Sequence, residues 1–101
     1  MINVIAVIQV KSGKNEEFLN IFNAMVPAVR AEDGCLAYQA TSDVEFGSPL
    51  QVIVPNSYTI VEKWNSIEAL KAHFAQPHMA DFIDKTADII EKLTLQVTEN
   101  L

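Results

Sequence analysis

The stretch Tyr58-Thr-Ile-Val-Glu62-Lys-Trp64-Asn-Ser-Ile-Glu68-Ala-Leu-Lys-Ala-His73-Phe-Ala-Gln-Pro77-His78-Met79-Ala80 decides how the rest of the chain is read. Its first part is rich in β-branched and aromatic residues and predicts a strand that runs to the single tryptophan. By the two-residue period of a strand, Tyr58, Ile60, Glu62 and Trp64 share one face. Asn65 is a candidate cap for the helix that follows, with Glu68 three residues on as in a capping box. Ile67, Leu70 and Phe74 form the apolar stripe of that helix, and His73 borders it. Pro77 ends the helix and can open the next one in its first turn.

Beyond His78, the residues Met79, Phe82, Ile83, Ala87 and Ile90 keep helical spacing, with Asp81–Lys85 and Asp88–Lys92 as i,i+4 pairs on the wet side. Leu93, Leu95 and Val97 then alternate with Thr94, Gln96 and Thr98, which predicts a last strand. At the start, Ile2 to Val10 reads as a strand with Ile2, Val4, Ala6, Ile8 and Val10 on one face. Asn3, Ile5, Val7 and Gln9 lie on the other. Both faces are apolar in the middle, so both are expected to be covered. One layer of helices covers one face, and the other must meet a second sheet, a subunit or a ligand. The expectation is a dimer around an apolar hollow into which the indole and an imidazole look.

A turn containing Gly13 leads to Asn15, a candidate N-cap, with Glu16 and Glu17 where the helix dipole favours them. Phe18, Leu19, Phe22, Met25, Val26 and Val29 follow at helical spacing. Pro27 removes one backbone bond to Asn23 and is expected to bend or split this helix. Asp33-Gly34 is a stop, and Cys35 to Ser42 reads as a second strand. In Asp43 to Asn56, Gly47-Ser-Pro49 marks a turn and Leu50 to Val54 is a candidate short strand. The segment reads as a lid, an oligomer contact or a plain surface loop. The order is β-α-β-β-α-β with the second helix broken in two. This predicts an α+β, ferredoxin-like protomer with an antiparallel sheet.

With 101 residues there is room for one domain, 1–101, and a modest core. The net charge of −6 and the absence of a basic run argue against nucleic acid or an anionic membrane as partner. No apolar run reaches membrane-spanning length, and Met1 leads straight into a strand pattern rather than a signal peptide. One cysteine makes no internal disulfide, so a cytoplasmic setting is expected.

Trp64 suits an aromatic wall for a planar substrate and can offer its indole N–H to a substrate oxygen. The plain alternative is a core tryptophan at a strand end. His73 and His78 are the only histidines, and imidazole is the obvious base for a ring hydroxyl. Their plain readings are a flank histidine bonded to backbone and a cap at the helix junction. A metal site is not expected. Five residues along one helix is about 140° of rotation, and no third ligand is arranged with the two rings. Glu62 can orient a histidine or accept a substrate hydroxyl, or else pair with a lysine across the sheet. Tyr58, Ile60, Phe22, Met25, Met79 and Phe82 are candidate pocket residues, or core. Cys35 has no basic neighbour and no sign of being a nucleophile. Nothing reads as a phosphate loop, a serine elbow, or a nicotinamide or flavin site.

The run Glu62-Lys-Trp64-Asn-Ser66, then Ala-Leu-Lys-Ala-His73 and Pro77-His78-Met79, resembles the antibiotic biosynthesis monooxygenase family, and most of all its bacterial quinol monooxygenase branch. Asn3-Val-Ile-Ala6 and Glu32-Asp-Gly34-Cys35-Leu-Ala-Tyr38 agree, so the likeness covers almost the whole chain. It implies a ferredoxin-like protomer in a dimeric α+β barrel, as a homodimer or higher even oligomer. It also implies oxidation of a quinol or hydroxylated aromatic by O₂ without metal or flavin. His73 or His78 would then be the base, with Trp64 packing the ring. Polyketide-oxidising relatives carry an asparagine where Ile60 stands, and haem-degrading relatives use a histidine on the last helix, which is lacking here. An isomerase resembling the enzyme that processes phosphorylated autoinducer-2 is the second reading, and a non-catalytic small-molecule-binding dimer module the third. Trp64 and the scarcity of basic residues weigh against the isomerase.

Overall fold

A computed structural model describes all 101 residues. Strand β1 (Ile2–Val10) is followed by helix α1 (Asn15–Arg30), strands β2 (Cys35–Thr41) and β3 (Ser57–Trp64), helices α2 (Ile67–Phe74) and α3 (Pro77–Thr86), and strand β4 (Ile90–Glu99). The sheet order is β2-β3-β1-β4, and every neighbouring pair is antiparallel. This is the ferredoxin-like α+β protomer that the hydrophobic pattern predicts. Its least extent is 18 Å, the depth of one sheet and one helical layer.

Registration explains the core. Ile2 faces Trp64 across β1 and β3, Val4 faces Glu62, Ala6 faces Ile60 and Ile8 faces Tyr58. The buried face of β1 and the face carrying Glu62 and Trp64 are therefore one surface. Helix α1 lies on it through Phe18, Phe22, Met25 and Val29, all buried. Tyr38, Leu70, Met79 and Phe82 complete the same cluster. Asn3, Ile5, Val7 and Gln9 face the open side of the sheet and are half-buried. The expectation that the indole and an imidazole look into a hollow between two sheets is thus corrected. Both lie beneath the helices, because the odd and even positions of β3 are fixed by pairing to β1.

Local corrections have local causes. Ser66, not Asn65, caps α2, its hydroxyl accepting the Ala69 amide at 3.1 Å. Asn15 caps nothing and instead donates to the Tyr58 hydroxyl at 2.9 Å. Pro27 does not split α1; it sits in the last turn, where one missing N–H leaves most of the ladder intact. Helix α3 stops at Thr86, whose hydroxyl bonds back to the Phe82 carbonyl at 2.7 Å. Ile90 is consequently the first residue of β4. The Asp81–Lys85 pair forms at 2.8 Å, whereas Asp88 and Lys92 belong to no common helix. Leu50–Val54 is not a strand, and this β2–β3 connection carries exposed Val44, Phe46, Leu50 and Val52.

Leu93, Leu95 and Val97 of β4 stand opposite Ile8, Ala6 and Val4, hence on the helix side, yet no helix covers them.

Gly34 closes the turn before β2 with φ of 85°, and an added Cβ would lie 2.5 Å from Asn65 Oδ1 and 2.6 Å from the Ala69 methyl. Gly34→Ala is expected to cost about 2–3 kcal/mol, read from denaturant unfolding. Gly13 also has positive φ but meets nothing within 4 Å, so Gly13→Ala should cost less.

Candidate active site

Glu32 lies in the turn between α1 and β2, and its carboxylate reaches across to both histidines. One oxygen, Oε2, is 2.9 Å from His73 Nδ1 and 2.8 Å from His78 Nε2. An ionised carboxylate only accepts, so each of these nitrogens carries the proton it donates. His73 is 1 % exposed and Glu32 6 %, whereas His78 is 25 % exposed. The expectation that the two rings could not converge and had no third partner is corrected. The break at Pro77 was expected, but not that the change of axis there turns both rings to one carboxylate. Helix α2 ends at Phe74 and α3 restarts at Pro77, so the rings approach Glu32 from different helices.

On the cavity side, Glu62 is 4 % exposed and accepts the Trp64 indole N–H at 3.0 Å. The indole is therefore spent on Glu62 rather than free for a substrate oxygen, and Glu62 has no lysine partner. Burial pushes the Glu62 carboxyl up to about 7; the Trp64 hydrogen bond opposes this and the Glu32 charge adds to it. Burial likewise raises the Tyr38 hydroxyl well above the usual range, with Glu62 and Glu32 adding to the effect, so it stays a neutral donor. The Cys35 thiol is also raised, first by burial and then by Glu32 and Glu62, which makes it a poor nucleophile.

Tyr38, Glu62 and His73 line a cavity of about 80 Å³ between sheet and helices. Its apolar wall includes Ile8, Ile60, Met79 and Phe82, and Phe74, Leu93 and Leu95 form its rim. No buried side-chain nitrogen or oxygen lacks a hydrogen-bond partner. His73 Nε2, the Tyr38 hydroxyl and Glu62 Oε2 bond to no protein atom, and all three residues line this space. Of the residues singled out from sequence, Ile60, Glu62, His73, Met79 and Phe82 line the cavity. Trp64 backs it, packing on His73 with ring centroids 4.7 Å apart. Tyr58 and Phe22 stand in the aromatic core around Phe18 and do not line the cavity, although Phe22 packs behind its wall on Tyr38 and Phe82. Met25 and His78 instead face a separate groove of about 450 Å³ between α1 and α3.

Sequence reasoning missed Glu32 and Tyr38. Both fall in the segment from Glu32 to Tyr38 that carries part of the family resemblance, which was the available signal. Neither has a local pattern that sets it apart.

Three comparisons with known proteins bear on this site. A family model described as antibiotic biosynthesis monooxygenase matches residues 1–85. The probable quinol monooxygenase YgiN of Escherichia coli is 30% identical over 101 residues, covering 98% of this chain and 97% of its own. Among solved structures, a protein from Pseudomonas aeruginosa matches with TM-score 0.83 at 23% identity, over 99% of this chain and 93% of that one. A conserved protein from Methanosarcina mazei matches with TM-score 0.85 at 23% identity, over 99% and 92%.

Glu62 is protonated to a higher pH when folded, above its ordinary value of 4.5. The folded state therefore binds more protons between about 4.5 and 7, and stability falls as pH rises through that window. Glu62→Gln should flatten this slope by roughly 1–3 kcal/mol between the two ends, measured by urea unfolding at several pH values.

Proposed function

The chain belongs to the antibiotic biosynthesis monooxygenase family, and on that footing we propose that it is a cofactor-independent monooxygenase acting on a quinol or related hydroxylated aromatic. One observation carries the reading: His73, Glu62 and Tyr38 line one largely apolar cavity, with His73 Nε2, Glu62 Oε2 and the Tyr38 hydroxyl unbonded to protein. Such a space accepts a flat ring and offers a base and two donors to its hydroxylated end.

His73 takes the substrate hydroxyl proton on Nε2. Glu32 holds the ring through Nδ1–H and stabilises the imidazolium that results, the logic of a carboxylate-oriented base. Protonated Glu62 and Tyr38 donate to the phenolate oxygen, where the negative charge appears. The anion passes one electron to O₂, and the semiquinone and superoxide combine at a ring carbon as a hydroperoxide. Loss of water leaves one oxygen on the ring as a carbonyl; the other leaves in the water. The substrate supplies all the electrons, and the apolar wall excludes bulk water from the reactive pair. No lysine or arginine lines the cavity, which disfavours the isomerase reading with a phosphorylated substrate.

The enclosed volume is small against the roughly 300 Å³ or more of ordinary ligand pockets. Phe74, Leu93 and Leu95 continue it outward as exposed apolar surface. A homodimer is the assembly this favours, the partner covering β4 and the apolar β2–β3 connection while it closes the cavity mouth.

Oxygen uptake with a reduced naphthoquinone should exceed the autoxidation blank, and His73→Gln should lower kcat by about a hundredfold or more. The rate should fall as pH rises through about 7, where Glu62 loses its donor proton, and Glu62→Gln should remove that descent. Uptake equal to the blank for a folded, ring-binding wild type would leave a binding module instead.

Sedimentation should give twice the 11.2 kDa chain mass, and Leu95→Glu should shift the protein toward monomer. A wild-type monomer at assay concentration would exclude the dimer.

A further inference from the structure

The Glu32, His73 and His78 cluster has a geometry that the oxidation above does not use in full. His78 faces away from the cavity, and its nitrogen nonetheless meets the same oxygen as His73. Two imidazoles and one carboxylate, from a turn and two helices, present three ligand atoms within 4.8 Å of one another. We propose that this cluster is a binding site for a divalent first-row transition cation of the zinc class, one per protomer.

The donor set suits such an ion. Two neutral imidazoles and one carboxylate form a common protein set for zinc, cobalt and ferrous iron. Metal–ligand bonds of about 2.0–2.2 Å place neighbouring donors roughly 3 Å apart, and the two Glu32–histidine separations are 2.9 and 2.8 Å. Both ring nitrogens already point at one spot, the one that Glu32 Oε2 occupies. The three donor atoms spread over up to 4.8 Å, more than two bonds of about 2.1 Å can span, so binding the cation draws the two rings toward each other as Glu32 rotates aside and keeps its oxygen in the coordination shell. His73 loses its proton from Nδ1 and carries it on Nε2 instead, so the metal-loaded protomer lacks the Nε2 base of the oxidation and is its resting, inhibited form.

Charge favours the same occupant. Glu32 and Glu62 are two buried carboxyls; burial raises Glu62 most, and the charge of Glu32 adds to it. The nearby guanidinium, Arg30, is turned away to donate to the Tyr38 carbonyl at 3.2 and 3.0 Å. No lysine or arginine pairs with Glu32. A buried anion beside neutral rings is stabilised by a cation that brings no bulk. The partial exposure of His78 toward the α1–α3 groove provides the entry path and room for a water as the remaining ligand.

The test uses the full chain stripped of metal with EDTA. Calorimetric titration with zinc chloride near neutral pH should give one site per protomer. Cobalt(II) should produce the visible absorption of a four- or five-coordinate ion. Glu32→Gln and His78→Ala, each checked for fold by circular dichroism, should weaken zinc binding by about tenfold or more. Asp81→Asn, an exposed carboxylate on the same groove, should leave it unchanged. No binding to the wild type overturns the proposal. So does binding that survives in Glu32→Gln and His78→Ala, which marks adventitious uptake by surface acids. Titration needs no turnover, so this outcome is independent of whether the quinol reading stands.

Discussion

One buried carboxylate, that of Glu32, ties together segments that the sequence keeps far apart. It sits at the end of α1, and its two partners lie on two later helices, either side of Pro77. A carboxylate at this depth is tolerated only when its oxygens are hydrogen-bonded. The bonds to His73 and His78 therefore position α2 and α3 as much as they satisfy Glu32. The same bonds decide the state of His73. With Nδ1 bound to Glu32, the other nitrogen is left to face the cavity, and the ring is held against Trp64. Trp64 in turn holds Glu62. Four side chains, Glu32, His73, Trp64 and Glu62, thus form one continuous chain of contacts beneath the helices.

The location of the cavity follows from how far the helical layer extends. Helix α1 and the α2–α3 pair cover β1, β2 and β3. Strand β4 is the edge strand, and its Leu93, Leu95 and Val97 point to the helix side with no helix above them. The cavity lies at the boundary between covered and uncovered sheet. Its inner end is polar and tightly enclosed, and its outer end is apolar and open. That gradient suits a molecule with one hydroxylated end and one hydrocarbon end.

Much of this was legible from residue periodicity. The alternation in Ile2 to Val10 and in Tyr58 to Trp64, and the helical spacing of Phe18 to Val29, gave the strands, α1 and the split βαβ order. Glu62 and Trp64 were correctly placed on one strand face. The side of the sheet they occupy was not legible, because period alone does not say which face the helices cover; the pairing of Ile2 with Trp64 does. The meeting of the two histidines was hidden for a different reason. Rotation along a helix is readable, but the change of axis at Ala75 and Gln76 is not. Ser66 and Asn65 are both good caps by type, and only the geometry of the turn chose between them. Glu32 had no local pattern to mark it, since its partners lie 41 and 46 residues away.

The bond from the lone indole to Glu62 has an optical consequence. Emission from an indole responds to the charge and polarity around its ring nitrogen. With a single tryptophan in the chain, the whole of that signal originates beside a carboxyl that burial pushes up to about 7. The fluorescence of the unlabelled protein is thus a native reporter of proton occupancy at that carboxyl, and of any aromatic guest that arrives next to it.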